Sequence, residues 1–340
     1  MDGYSKIEDI EDNRNINYKK GFKTKTKGII NNQQYDNIND IKNKVRRLNI
    51  KKQRIIEKKL AKSSRRRENH KKEMNGEIIE KGIPRTIENT REIDETYLKD
   101  AINDQELYKE MENDEFSDYF LKKRSPHLLI TTCRKPSKHM YNFLKEFVAI
   151  IPNCDFYKRY NFKIKSIIKE INSNKDNTYT DLLIFIEHPV KKQPWGLYIC
   201  HLPNGPTSYF RMRSLKLAQD MKGTAVSTTH NPEIILNNFD TRMGYRIGRQ
   251  LASLFPFNPD FNGRRVITFH NQRDFIFFRH YRYIFKQKDN KVTSTGLQEI
   301  GPRFTLKLMW LQEGTFNTKQ GNFEYIWRPD LQVNRKIFFI

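Results

Sequence analysis

LLITTCRKPSKHMYNFLKEFVAIIP (residues 128–152) and IILNNFDTRMGYRIGRQLASLFP (234–256) decide the fold, because they read as one unit written twice. In each, an apolar run of strand character passes through a polar turn into an amphipathic stretch that ends at proline, with Pro152 and Pro256 in register. A second strand follows each, LLIFIEH (182–188) and VITFHN (266–271), and then a strand opened by Gly-Pro, NGPTSYFRM (204–212) and IGPRFTLKL (300–308). A repeat of this size governs the architecture. Strands alternating with helices, beside adjacent antiparallel segments, predict an α/β fold of two similar halves with mixed sheets.

Within each copy the helix explains itself. Ser137 and Thr241 stand where an N-cap is needed, since their hydroxyls can accept from the orphan amides of the first turn. Phe143, Phe147 and Ile150 fall at i, i+4 and i+7 and predict a buried stripe, with Ile247, Leu251 and Leu254 as counterparts. On the other side Lys138, Asn142 and Lys145 align with Arg242, Arg246 and Arg249, so each helix presents a basic or polar face. Solvation alone accounts for one such face; two in register also suit phosphate contact. Gly244 and Gly248 form G-x-x-x-G, which allows a helix to lie close on a strand, and its charged flanks argue against a membrane role. Gly205-Pro206 and Gly301-Pro302 read as architectural markers, because proline is tolerated at the first residue of a strand.

Composition sets the outer limits. The chain has 340 residues, a formal charge of +23 and a pI near 9.7, which favours a polyanionic partner, nucleic acid or an anionic surface. It holds no run of about 18 apolar residues, so no transmembrane helix is expected. MDGYSKIEDIEDNRN lacks the apolar centre of a signal peptide. Cys133, Cys154 and Cys200 show no C-x-x-C spacing, hence neither a disulfide framework nor a zinc site. The expectation is a soluble, intracellular protein in a reducing compartment.

Residues 1–126 differ in kind. They hold 30 basic and 24 acidic residues, so +17 of the +23 falls in the repeated part. Residues 1–40 are polar and aperiodic, the composition of a disordered segment. From Ile41 to Lys72, 15 basic residues face 2 acidic ones, with Ile41, Val45, Leu48, Ile55, Ile56 and Leu60 at helical spacing. A basic amphipathic helix follows, suited to RNA contact, to import, or to plain solvation. Residues 91–120 are acidic and read as a spacer or as a segment that docks on a basic surface of this chain or of a partner. KKRSP (122–126) marks entry to the globular part. The boundaries drawn are 1–126 for the charged extension, 127–330 for the repeated domain (halves 127–222 and 230–312) and 331–340 for a C-terminal tail.

GRRVITFHNQRDFIFFRHYRYIFK (263–286) is the densest in basic and aromatic residues. As an extended hairpin it puts Phe275, Phe277, Arg279, Tyr281, Tyr283 and Phe285 on one face and Ile276, Phe278, His280, Arg282 and Ile284 on the other. Flat rings stack on splayed bases while guanidinium groups meet phosphates. Core packing competes for each ring, and Arg273 with Asp274 could be an internal ion pair. Arg264, Arg265, Arg273, Arg279 and Arg282 join Lys138, Lys145, Arg242, Arg246 and Arg249 as candidate RNA contacts. His270 with Asp274, or Cys200 with His201, comes with no nucleophile motif, phosphate loop or metal-ligand spacing, so neither an enzyme nor a metal or cofactor site is expected.

Together LLITTCRKPSKHMYNFLKEF, HLPNGPTSYFRM, PEIILNNFDTRMGYRIGRQLASLFP, GRRVITFHNQRDFIFFRHYRYIF and LQEIGPRFTLKLMWL resemble a Brix domain over roughly residues 127–330. The resemblance implies two α/β halves akin to anticodon-binding domains, and an RNA-binding segment, likened to a sigma-factor motif, at about 264–285. It further implies a non-enzymatic factor of the nucleus and nucleolus. Such a factor binds precursor ribosomal RNA, supports large (60S) subunit assembly and RNA processing, and works with pre-60S assembly factors including a dedicated protein partner. Neither a membrane nor a small-molecule substrate is implied. Asn172–Asn177 is an insertion relative to the family pattern. The other readings are a protein-interaction scaffold with little RNA contact, and a nuclease or RNA-modifying enzyme using His270. The second half is where most RNA contact is expected, and the first is where a protein partner is.

Overall fold

The first of the two apolar runs becomes β1 (Leu128–Thr132) and the second β6 (Glu233–Asn237), each leading into a helix, α4 (Lys138–Val148) and α6 (Arg242–Ala252). In the computed structural model the described residues are 41–75, 83–93, 95–98, 105–174, 178–288, 291–317, 321–332, 334 and 336–340. The expected disorder of residues 1–40 and half of the Asn-rich insertion, residues 175–177, lie outside them. The chain divides into two units, Met1–Ile83 and Pro84–Ile340.

In the first unit the basic segment forms α1 (Lys44–Met74), capped by the Asn43 side chain, which accepts from the Arg46 amide at 3.1 Å. Its spacing was legible, but Val45, Leu48, Ile55, Ile56 and Leu60 are all exposed. The helix is held by its own backbone and its cap rather than by a buried stripe.

The second unit carries α2 (Gln105–Glu112) and α3 (Ser117–Phe120), and then the repeat. After α4 come β2 (Cys154–Phe156), α5 (Ile164–Ser173), β3 (Asp181–Glu187), β4 (Pro194–His201) and β5 (Thr207–Lys216). After α6 come β7 (Arg265–Gln272), β8 (Phe275–Lys288), β9 (Lys291–Glu299), β10 (Arg303–Gln312) and β11 (Phe323–Ile326). The sheet order is β2-β1-β3-β4-β5-β10-β8-β7-β6, with β9 on β8 and β11 on β10. β1 runs parallel to β3, as β6 does to β7; β3-β4-β5 and β7-β8-β10 are antiparallel. The two halves are therefore the same path, and they form one mixed sheet because the two Gly-Pro strands pair antiparallel, from Arg303 opposite Lys216 to Gln312 opposite Thr207. Gly205 and Gly301, before those strands, have φ of +101° and +89°, a conformation open to glycine.

Both helices cover the same face. Ser137 Oγ accepts from the Met140 amide and Thr241 Oγ1 from the Gly244 amide at 2.9 Å. Phe143, Phe147, Ile150, Ile247, Leu251 and Leu254 are all buried in one cluster with Phe185, Phe278 and Phe304. Phe278 and Phe304 stack at 4.3 Å, and Phe147 lies within 6.4 Å of both, so first-half and second-half rings share one core. Each buried Phe contributes roughly 1.5–3 kcal/mol by removal from water. Gly248 lets α6 lie against Leu236 and Phe239. On the opposite face, among the described residues, a helix covers the first half alone: Ile164, Ile167, Ile168 and Ile171 of α5 pack on Leu129, Leu182 and Ile184.

Residues 338–340 tie in more than the sequence suggested. Assigned there to a tail, they pack into the unit. The Asp274 carboxylate accepts from the Phe339 and Ile340 amides at 2.8 and 3.0 Å, and Phe338 and Ile340 are buried. Arg273 and Asp274 form the β7–β8 turn with φ of 56° and 61°. They are not an ion pair with each other: Asp274 holds the C-terminal residues, while Arg273 stands 3.7 Å from Glu88.

Arg265 and His280 lock the second half internally. His280 is fully buried, donates from Nδ1 to the Gly301 carbonyl at 3.0 Å, and accepts at Nε2 from Arg265 Nε at 3.2 Å. Burial pulls its pKa down to about 4, and a second ring proton would face the guanidinium. A folded pKa below the unfolded one means stability is retained above pH 6.5 and lost as pH falls toward 4, on the order of 3 kcal/mol for this one group. In urea unfolding between pH 7 and 4.5, His280→Gln is expected to lower stability at pH 7 and to flatten the acid slope; an unchanged slope would refute the assignment.

Candidate nucleic-acid interface

The ten cationic residues singled out by sequence do not converge on one surface. Lys138 and Lys145 are exposed on the outer side of α4. Arg264 is exposed ahead of β7, its guanidinium 5.9 Å from the Phe285 ring, and Arg273 is exposed at the hairpin tip. Arg282 is half-buried on the strand face shared with His280. Arg265 is 1% exposed, and its guanidinium donates to the carbonyls of Thr228, His230 and Ile150 as well as to His280. That corrects its place among RNA contacts: its charge is spent on backbone carbonyls inside the protein.

The α6 face is occupied by the acidic segment of the same chain. Arg242 lies 3.2 Å from Glu106 and 3.4 Å from Glu110. Arg246 holds Glu115 with two bonds of 3.2 Å and donates to Glu324 at 2.8 Å. Burial would lower its pKa, but the Glu324 and Glu115 carboxylates more than offset this and raise it. Arg249 grips Asp114 at 2.5 and 2.7 Å, donates to the Met111 carbonyl at 2.8 Å, and sits 4.1 Å over the Phe120 ring. The acidic block therefore docks on this chain's own basic helix. Arg249 is a correction of the same kind as Arg265, since planar pairing to a buried carboxylate leaves no edge for phosphate.

What the sheet leaves open is its other face in the second half. The row Arg213 (β5), Thr305 (β10), Phe277 (β8) and His270 (β7) runs across four strands in register. Arg211 stands beside it on β5, 4.6 Å over the Trp195 ring, and Arg279 follows Phe277, 5.5 Å from that ring. One terminal nitrogen of Arg279 donates to the Phe278 and Phe304 carbonyls, while the rest of the half-exposed guanidinium faces outward. Tyr281 and Tyr283 continue the β8 face. Phe277, Arg279, Tyr281 and Arg211 are half-exposed and Arg213 is exposed. Lys307, opposite Arg211, is instead buried between Phe275 and Trp327, at 5.1 and 4.3 Å. Burial lowers its pKa, with Asp274 opposing.

The face predicted for β8 is the face observed; of the ten cations only Arg279 lies on it. Arg211 and Arg213 were missed, though their signal was present. In SYFRMRSLK the residues Tyr209, Arg211 and Arg213 alternate with buried Phe210 and Met212, the pattern of a strand with one polar face.

The pairs considered for catalysis are engaged otherwise. His201 binds Asp181 at 2.8 Å, and Cys200 is buried, its thiol pushed up to about 12 by burial and the Asp181 charge, with the Thr207 hydroxyl opposing. Asp274 is turned toward the C-terminal residues, away from any base role for His270. Among the described residues no group of three or more His, Cys, Asp or Glu could hold a metal ion, and no helix is long and apolar enough to cross a membrane.

With one sheet, two covering helices and one open basic-aromatic face in place, the family follows. The Brix domain model matches residues 133–310, and the chain belongs to the Brix domain family. It is 46% identical over 262 residues to Ribosome production factor 1 of Xenopus laevis, covering 76% of this chain and 73% of that protein. To Ribosome production factor 1 of Mus musculus it is 43% identical over 309 residues, covering 89% and 85%. Among solved structures, that of a probable ribosomal biogenesis protein from Aeropyrum pernix K1 matches 54% of this chain and 96% of that one, at 13% identity and a TM-score of 0.39.

Removing one partner of a buried ion pair leaves the other charge uncompensated, at about 3–5 kcal/mol. Arg249→Ala is expected to lower unfolding free energy by that order and to open residues 105–120 to limited proteolysis, whereas Lys138→Ala should do neither. Equal protease resistance of Arg249→Ala and the parent chain would overturn the docking.

Proposed function

We propose that this protein is a non-enzymatic ribosome biogenesis factor that binds precursor ribosomal RNA through the open sheet face and supports assembly and processing of the large subunit in the nucleolus. The observation that carries it is the cluster of Arg211, Arg213, Phe277, Arg279 and Tyr281 on one face of strands buried from behind. Rings on a rigid sheet stack on unpaired bases while neighbouring guanidinium groups meet phosphates, which is how sheet surfaces hold single-stranded RNA. The names of the relatives at 43–46% identity support the ribosomal setting. The surplus of positive charge outside residues 1–126 supports an anionic partner for the domain.

In this reading the α6 arginines are fasteners for the acidic segment, and the RNA contacts lie elsewhere. Exposed Lys138, Lys145, Arg264 and Arg273 add long-range attraction from the rims.

Counterion release gives the test. Replacing Arg211, Arg213 and Arg279 with alanine should weaken binding of a precursor-rRNA fragment and reduce the slope of log K against log salt by about 2, at ~0.7 per phosphate on single strands. Phe277→Ala should weaken binding by about 1–3 kcal/mol and leave that slope unchanged, because stacking releases no counterions. Salt-insensitive binding in the parent chain, or full affinity in the triple variant, would instead favour a protein scaffold with little RNA contact.

A further inference from the structure

Two irregularities interrupt neighbouring strands at the same end of the first half. In the β3–β4 ladder Ile186 pairs with Gly196 and Glu187 with Pro194, which leaves Trp195 as an extra residue without a partner. In the β5–β10 ladder Lys216 pairs with Arg303 and Arg213 with Thr305, so Ser214 and Leu215 stand against Phe304 alone. Ser214 takes a left-handed φ of 53°. A bulge of this kind re-aims the side chains beside it and breaks the alternation of faces. Arg213 and Ser214, adjacent in sequence, are accordingly both exposed. The indole of Trp195 comes within 4.6 Å of the Arg211 guanidinium.

Between the two bulges lies a cavity of about 470 Å³, a size that suits a small organic group. Met212 and Leu217 give it an apolar wall, Trp195 and His188 give it two rings, and Lys191 and Arg213 give it charge. Asp220 is the one carboxylate among the described residues that line it, and Asp220 is turned to the Leu217 amide, from which it accepts at 3.3 Å. Every one of these residues belongs to the first half, where the sequence pointed to a protein partner rather than to RNA.

The rings are held and their donors are free. His188 accepts at Nδ1 from the Val190 and Lys191 amides at 3.2 and 3.1 Å. Two amides donating to Nδ1 fix the neutral tautomer with its proton on Nε2. That N–H and the indole N–H of Trp195 have no acceptor among the described residues. The two rings meet edge to face, 5.5 Å apart at 84°, so each limits the rotation of the other. Lys191 and Arg213 have no carboxylate partner among the described residues either.

This combination selects its ligand. A bare phosphate would leave the indole and the apolar wall unused, and a purely apolar group would strand two cations and two N–H donors. A nucleotide uses all of them: a flat base for the rings, base-edge acceptors for the N–H groups and a phosphate for the cations. A paired base has its edge already taken, so the nucleotide must be splayed out of any helix. Arg213 also belongs to the row that crosses the open face with Thr305, Phe277 and His270, so a strand lying on that face meets the cavity next.

We propose that the cavity takes one unpaired nucleotide of the RNA strand that crosses the open face, its base beside Trp195 and His188 and its phosphate against Arg213 and Lys191. The inference rests on the RNA-binding reading for its ligand and on the two bulges for its geometry.

The test uses the full-length chain and a single-stranded RNA of about 12 nucleotides, the scale of a single-strand site, in random sequence substituted with 4-thiouridine. After irradiation, adducts are expected on His188 or Trp195 as well as on the β8 face, Phe277 to Tyr283. An equimolar mixture of free nucleoside monophosphates should leave the adducts in place. Trp195→Ala should weaken binding of the RNA about tenfold, the scale of one base–aromatic stack, and Trp195→Phe should cause a smaller loss. Lys191→Ala should reduce the slope of log K against log salt by about 0.7, one phosphate on a single strand. Adducts on the β8 face with none at His188 or Trp195 would overturn the cavity and leave the RNA-binding reading standing. Adducts at the cavity with none on β8 would do the reverse, and none anywhere would overturn both. Displacement by the free nucleotides, or full affinity in Trp195→Ala, would also overturn the proposal.

Discussion

The antiparallel pairing of β5 with β10 is the constraint on which the rest depends. It joins two copies of one unit into a single sheet, so their helices fall on one face and their phenylalanines enter one core. A layer packed by helices on one side still has a second side to dispose of. Here the first half buries that side under α5, whereas in the second half no described helix covers it and, Thr305 and Lys307 apart, much of it meets solvent. The basic-aromatic face owes its existence to that unequal covering, and its floor is rigid because Phe278 and Phe304 stack directly beneath it.

Charge in this chain has two uses that composition cannot separate. Arg249 and Arg265 are as cationic as Arg211 and Arg213, yet the first pair is consumed by Asp114 and by backbone carbonyls. A buried guanidinium is tolerable only where its donors are matched, and both have partners for most of theirs. Cations with fewer internal partners lie on strands whose other side is already full. Net charge therefore overstates the surface available to an anion, and burial sorts the two sets.

The repeat, the caps at Ser137 and Thr241, the buried stripes and the two faces of β8 were legible because each follows from a local period. Which arginines meet solvent was not legible, since that is set by contacts distant in sequence. Arg265 is hidden by His280 fifteen positions on and by the carbonyl of Ile150 over a hundred positions back. The acidic block announced an affinity for positive charge without naming its target; only the folded chain brings Asp114 to Arg249. The Arg211 and Arg213 row was within reach of a period-two reading, but the aromatic richness of 263–286 drew attention from the shorter strand beside it. The joining of both halves in one sheet had no local signature at all.

The seam between β5 and β10 also bears on how such a molecule comes to exist. A protein made of a single copy would end its sheet in a bare strand at that position, and closing it against an identical chain about a twofold axis would reproduce the strand order found here. In such a symmetric dimer every change is made twice. Covalent linkage removes that obligation, so one copy could acquire a guarding strand and the other an acidic strap. Divergence of the halves is thus a freedom granted by the tether, and the asymmetry of the molecule is the record of its use.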